Sequence, residues 1–251
     1  MIPARYESVR LPGKLLLPIA EKAIVVHTAE RAAIAEGVSS VIVATDDERI
    51  VRVVAEAGYN VKLTSREHES GTDRVAEVAA EFDPETIIVN VQADEPLIDP
   101  NLISSVAECL ANNLEIDIAT AYESISDIES VFDPNVVKVV EEAGIALYFS
   151  RSPVPFQRDG AMKHGGLREF LEADPGALKV FKKHLGIYAF RNSFLQKFAK
   201  SRPSRIEFEE KLEQLRALAL GARIGIVASE SVSIGVDTPE DYEKVRAIME
   251  I

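Results

Sequence analysis

An α/β fold is what the sequence predicts: a Rossmann-like, mostly parallel sheet flanked by helices, with a smaller, mainly antiparallel inset. Two observations carry this. Short β-branched runs alternate with longer amphipathic patterns, the signature of βαβ units. Between about residues 125 and 200 that rhythm changes to strand-like runs paired around a tight turn. The 251 residues, 47% of them hydrophobic, fit one domain spanning 1–251 that carries the inset as a sub-domain.

The elements follow in order. Residues 39–45 (SSVIVAT), 59–63 (YNVKL), 85–91 (ETIIVNV), 116–121 (IDIATA) and 222–229 (ARIGIVAS) read as strands, bounded by polar turn residues. Apolar positions at helical spacing predict helices at about 22–36, 47–57, 71–81, 100–113, 207–220 and 239–250. In the inset, NVVKVVEEAGIALYFSR reads as two strands around a Glu-Ala-Gly turn, and KHLGIYAFR as another. Residues 160–183, Gly-containing and mixed in charge, predict a long loop with a short helix near 166–173.

Helix ends account for several polar residues. Ser204 and Glu207 have the spacing of a capping box, after which Phe208, Leu212, Leu215 and Ala219 form a buried stripe that Gly221 ends. Asp99 before Pro100, and Thr238 before Pro239, fit N-cap and first-turn positions. Asp46 and Asp47 read as caps or first-turn acids. Cys109 shares a helical stripe with Leu102 and Val106 and reads as a small core residue.

Composition excludes several classes. A single cysteine rules out an intrachain disulfide framework, and the four histidines, at 27, 68, 164 and 184, lack zinc-site spacing. With 28 Lys+Arg against 41 Asp+Glu, a net charge of −13 argues against a nucleic-acid footprint. Apolar runs are only strand-sized, so neither a membrane span nor a signal peptide is expected, and the expected location is the cytoplasm.

Against this acidic background, the opening segment IPARYESVRLPGK concentrates Arg5, Arg10 and Lys14 beyond the expected first strand. Asp94, in VQADEP, and Asp237, after the apolar run SIGV, stand where open α/β sheets bind ligands, beyond the carboxyl ends of strands. Cations suit a polyphosphate, and two carboxylates suit the divalent metal that accompanies one. A Walker A loop, a G-x-G-x-x-G fingerprint and a G-x-S-x-G elbow are all absent from the sequence.

The segments IPARYESVRLPGK, VATDDERI, HESGTDRVAEV, VNVQADEPLI, ALYFSRSPVPF, KHLGIYAFR, EKLEQLRAL and GVDTPEDYEKV occur in this order. With them the chain resembles the 3-deoxy-manno-octulosonate cytidylyltransferases, or CMP-Kdo synthetases, along essentially its whole length. The resemblance implies a nucleotide-diphospho-sugar transferase type of fold. It also implies transfer of CMP from CTP to the anomeric hydroxyl of the acid sugar Kdo for lipopolysaccharide synthesis, with Mg²⁺ as cofactor and an inset-mediated homodimer.

Residue by residue, it assigns Ala4, Arg5, Arg10 and Lys14, with Ser70, Arg74 and Gln92, to nucleotide binding. Arg10, Lys14, Asp94 and Asp237 become catalytic, the two aspartates as metal ligands. Gln92, Arg151, His184, Tyr188, Glu213 and Gln214 become the acid-sugar set. Three departures stand out: only Met1 precedes the IPAR segment, which predicts a shortened first strand; Ala93 replaces the family's glycine; and AEKAIVVH lacks the family's Gly and Pro. The 160–183 segment is longer than usual, so an amino-Kdo or another acid sugar is an alternative acceptor. A CTP-binding homologue with reduced catalysis is a further alternative.

Overall fold

The computed structural model describes residues 1–8, 10–231 and 234–250. Val9 of the opening loop and Ser233 of the run before Asp237 lie outside the described residues. The first half comprises β1 (Ile2–Ala4), a hairpin of β2 (Pro18–Ile19) and β3 (Lys22–Ala23), α1 (Ile24–Ala33), β4 (Ile42–Thr45), α2 (Glu48–Glu56), β5 (Asn60–Leu63), α3 (Gly71–Ala79), β6 (Ile87–Asn90) and α4 (Pro100–Ala111). The second half adds β7 (Ile118–Ser124), α5 (Ile128–Phe132), β8 (Lys138–Glu142), β9 (Ile145–Ser150), α6 (Arg158–His164), α7 (Leu167–Ala173), β10 (Lys182–Arg191), α8 (Asn192–Ala199), α9 (Arg205–Glu210), α10 (Gln214–Ala219), β11 (Ile224–Ala228) and α11 (Pro239–Met249).

Strands β5, β4 and β1 form a parallel sheet in which Ile2 pairs with Val43 and Ala4 with Thr45. The Met1 carbonyl accepts from the Val91 N–H at 3.0 Å, which brings β6 alongside β1. From β6 a second sheet continues in the order β6-β10-β7-β11-β9-β8. There β11 runs parallel to β7, while β10 is antiparallel to both β6 and β7. One strand of the inset is thereby built into the middle of the main sheet. The run 39–45 yields a strand only over 42–45, because its partners β1 and β5 begin opposite Val43 and Ile42.

Apolar faces close over both sides of this sheet. One core packs Ile24 and Val25 of α1, Ile50 of α2, Val106 of α4 and Val245 of α11 against β1 and β4. A second gathers Val75 of α3, Leu195 and Phe198 of α8 and Leu215 of α10 around Ile88 and Phe190. Each such side chain contributes roughly 1.5–3 kcal/mol on burial. The inset has a small core of its own, around Val131, Leu171 and Phe181.

Local signals explain most boundaries. Asp47, Asp99 and Thr238 cap their helices with side-chain hydrogen bonds, and Ser204 with Glu207 completes a capping box. Four expectations are corrected. Asp46 is no cap, since its carboxylate pairs with the Arg74 guanidinium at 2.9 Å. Residues 160–183 contain the expected short helix as α7, but the rest is no loop: α6 and a 3₁₀ turn over Pro175–Val180 close with it on the inset core.

The helix expected over 207–220 is two helices. Lys211 adopts a left-handed conformation (φ 53°), which turns the chain between α9 and α10. In consequence Phe208 is 65% exposed under the Lys211 ammonium, while Leu212 and Leu215 stay buried. Ala219 also falls on the exposed side. No strand forms over 234–236; instead the Val236 N–H donates to the Asp94 carbonyl at 2.8 Å, and the buried Val236 side chain anchors the segment.

Candidate active site

That single backbone bond sets Asp237 beside Asp94 at the carboxyl end of β6. The opening loop supplies their partner from the end of β1. Lys14, fixed in a 3₁₀ turn after Gly13 (φ 68°), places its Nζ 2.5 Å from Asp94 and 2.7 Å from Asp237. Arg10 adds a second cation 2.9 Å from the other oxygen of Asp237.

The electrostatics of this cluster are mutual. Burial alone would lower the Lys14 pKa, but the two carboxylates raise it above the ordinary lysine value. Burial would raise that of Asp237, yet Lys14 and then Arg10 hold it below the usual carboxylate range. The pair is therefore built to hold positive charge. Among the described residues no group of three or more His, Cys, Asp or Glu could hold a metal. Two hard carboxylates side by side, Asp94 lining a cleft, suit a cation that completes its shell with phosphate oxygens and water, the habit of Mg²⁺.

A cleft of about 300 Å³ opens beside this cluster, lined by Pro3, Arg5, Lys14, Gly71, Gln92 and Asp94. Ala4, fully buried, ends β1 beneath it. Arg5 is exposed and donates to the His68 carbonyl at 2.5 Å. On the far wall Ser70 is the N-cap of α3, accepting from the Asp73 N–H at 3.0 Å. A Cβ on Gly71 would stand 3.2 Å from the Pro3 ring, so this helix end packs closely against the end of β1.

Gln92 joins this wall to the inset. Its Nε2 donates to the Gly186 carbonyl at 3.0 Å, at an irregularity in β10 between Leu185 and Tyr188. Such bulges redirect side chains near functional sites. His184 and Tyr188 flank the bulge with ring centroids 5.4 Å apart. The His184 Nε2 lies 3.0 Å from the Thr120 hydroxyl, and burial lowers its pKa to about 3, so the ring is neutral near pH 7. Burial, reinforced by the charge of Glu213, pushes the Tyr188 phenol up.

Glu213 connects the two walls from the other side. Its carboxylate accepts from the Thr72 hydroxyl at 2.6 Å and from Arg216 at 3.2 Å. Burial raises its pKa despite those partners and Ser70. Gln214, next in sequence, is buried at the start of α10.

Two expected site residues are committed to the protein itself. Arg74 is fully buried, bonded to Asp46, Thr64 and the Ser65 carbonyl, and so holds the turn after β4 against α3. Arg151 donates to the carbonyls of Glu210, Pro134 and Lys211, tying the α9–α10 turn to the segment before β8. Thr72 and Arg216 were not singled out by sequence motifs. The one local signal for Arg216 is its i, i+3 spacing from Glu213.

Residues 1–224 match the family model described as Cytidylyltransferase. A 3-deoxy-manno-octulosonate cytidylyltransferase of Geobacter sulfurreducens is 50% identical over 98% of this chain and 96% of its own length. That of Geobacter metallireducens is 49% identical over 98% of this chain and 94% of its own. A solved CMP:2-keto-3-deoxy-manno-octonic acid synthetase in complex with CTP superposes with a TM-score of 0.88 at 39% identity, covering 99% of this chain and 96% of that one. A 4-diphosphocytidyl-2C-methyl-D-erythritol synthase shares the fold, at a TM-score of 0.62 and 13% identity, over 98% of this chain and 96% of its own. With the motifs and the site geometry, these likenesses establish that the chain belongs to the 3-deoxy-manno-octulosonate cytidylyltransferase family.

Proposed function

We propose that this chain transfers CMP from CTP to the anomeric hydroxyl of 3-deoxy-D-manno-octulosonate (Kdo), giving CMP-Kdo and pyrophosphate for lipopolysaccharide synthesis. The observation that carries the reading is the convergence of Arg10, Lys14, Asp94 and Asp237, from three distant segments, beside a cleft at the carboxyl end of the sheet. The family membership gives that geometry its chemistry.

In this reaction the anomeric oxygen attacks the α-phosphorus in line, and pyrophosphate leaves. Charge neutralisation and positioning carry such a transfer. Arg10 and Lys14 bind phosphate oxygens and offset the charge that builds as the bond to pyrophosphate breaks. Ala4, Arg5, Ser70 and Gln92 hold the nucleotide, with Arg74 stiffening the wall behind it. Asp94 and Asp237 would hold Mg²⁺, which supplies Lewis-acid polarisation of the phosphate when bound.

Gln92, His184, Tyr188, Glu213 and Gln214 form the acceptor side. A neutral imidazole, a phenol, a carboxylate and two amides suit the several hydroxyls of an acid sugar. Arg151, expected as the cation for the sugar carboxylate, instead shapes the edge of this region by holding the α9–α10 turn through the carbonyls of Glu210, Pro134 and Lys211. Under this reading the enzyme acts in the cytoplasm; no described helix is long and apolar enough to cross a membrane. Exposed Leu147 and Phe156 of the inset supply apolar surface for a homodimer.

The test is pyrophosphate release by the purified chain with CTP and Mg²⁺, with and without Kdo, beside UTP and amino-Kdo arms. Release requiring both CTP and Kdo supports the assignment. Release with amino-Kdo alone reassigns the acceptor, and CTP binding without release with any acid sugar marks a homologue that has lost catalysis.

A further inference from the structure

Glu213, on the acceptor side, owes its position to its neighbours. It follows the left-handed Lys211 and precedes a helix of only six residues, so local backbone alone fixes it weakly. Arg216 and Thr72 hold its two carboxylate oxygens from opposite sides, with the Ser70 hydroxyl as a further partner. Arg216, itself buried, donates to one carboxylate oxygen while the same guanidinium pairs with Glu207 and lies 4.5 Å from the Phe198 ring. The Thr72 hydroxyl donates to the other oxygen at 2.6 Å across a separation of 141 residues.

Thr72 is well placed for such a task. It is 5% exposed, in the first turn of α3, whose N-terminal Gly71 lines the nucleotide cleft and packs against Pro3. A hydroxyl on this rigid helix end reaches across to the α9–α10 turn. Whatever aligns the start of α3 also aligns the Glu213 carboxylate.

We infer that Thr72 is a positioning residue for the acid sugar: its hydroxyl fixes Glu213 for the acceptor hydroxyls and ties the acceptor subsite to the nucleotide wall. The inference rests on the assignment of Glu213 to the acceptor side under the proposed function. In this role Thr72 acts on the sugar through Glu213.

The experiment compares the full chain with Thr72→Val, which keeps shape and removes the hydroxyl, and Thr72→Ser, which keeps the hydroxyl. KM for Kdo, KM for CTP, kcat and melting temperature are measured for each. Thr72→Val is expected to raise KM for Kdo about tenfold while KM for CTP moves by less than about twofold, a split that general loosening would not produce. Thr72→Ser is expected to restore KM for Kdo to near the parent value.

An unchanged KM for Kdo in Thr72→Val overturns the inference, as does an equal rise in both KM values. A Thr72→Ser variant as impaired as Thr72→Val overturns it too. If Thr72→Val fails to fold, Thr72→Ala takes its place under the same criteria. Absence of Kdo turnover by the parent chain removes the underlying assignment and this inference with it, a result distinct from an active parent with an indifferent Thr72→Val.

Discussion

The Lys14 ammonium stands 2.7 Å from the Asp237 carboxylate across 223 positions of sequence. The same nitrogen is bonded to Asp94, so one cation bridges two carboxylates that would otherwise repel. Under the proposed function a divalent cation would compete with the Lys14 ammonium for these oxygens, and the triphosphate would draw the ammonium away. Lys14→Met is therefore expected to bind Mn²⁺ roughly tenfold more tightly than the parent in the absence of nucleotide, by equilibrium dialysis. Its turnover falls about 10²-fold or more, because a phosphate cation is lost.

Asp94→Asn and Asp237→Asn lose most turnover, about 10²-fold or more, with the fold retained. Circular dichroism and thermal melting check the fold, and pyrophosphate release checks the rate. Near-normal turnover by either variant would remove that aspartate from the metal site.

His184 gives a pH prediction. Burial holds its folded pKa near 3, against an ordinary 6.5. As pH falls through 6.5 the unfolded chain gains a proton that the folded chain refuses, so this residue costs stability between pH 6.5 and about 3 and nothing above. His184→Gln removes that loss. Its melting temperature, lower than the parent's at pH 7.5, is expected to approach the parent's as pH is lowered to 4.5.

The β2–β3 hairpin turns through Ala20 and Glu21, both at positive φ (42° and 68°). A two-residue turn of this kind favours Asn-Gly, and left-handed Ala or Glu costs about 1 kcal/mol each. The double substitution Ala20→Asn with Glu21→Gly is expected to stabilise the chain by about 1–2 kcal/mol, read from urea denaturation. The missing family glycine in this segment thus has a measurable cost.

Ala93 has no such penalty. It is absent from the positive-φ residues of the described chain, is 5% exposed, and its carbonyl accepts from the Thr28 hydroxyl. Ala93→Gly is expected to destabilise by about 1 kcal/mol through added unfolded-state freedom and a lost methyl contact. A rise in the denaturation midpoint would contradict this.

Which parts of the molecule were legible follows from the range of the forces involved. Caps at Asp47, Asp99, Ser204 and Thr238 depend on neighbours within four residues, and their spacing announces them. The opening loop and the two aspartates were legible as charge and family motif, but their meeting depends on the Val236–Asp94 backbone bond, which no local pattern encodes. The break at Lys211 was hidden because a favourable apolar period continues through Leu212 and Leu215. Arg74 and Arg151 look alike in sequence to cations meant for a ligand, and only the fold reveals the carbonyls and the carboxylate they hold. Thr72 escaped notice because its partner lies 141 residues away.

Strand β10 carries His184 and Tyr188 and is hydrogen-bonded to β6, the strand that leads to Gln92 and Asp94. The part proposed to recognise the acceptor is therefore not an exchangeable cassette. Recombining this inset with that of a relative transplants a central strand, and with it the side chains that must mesh with β6 and β7 on both faces. Chimeras that change sugar preference will have to carry matched partners on those two strands, so specificity in this scaffold changes by coordinated sets of substitutions rather than by module swapping.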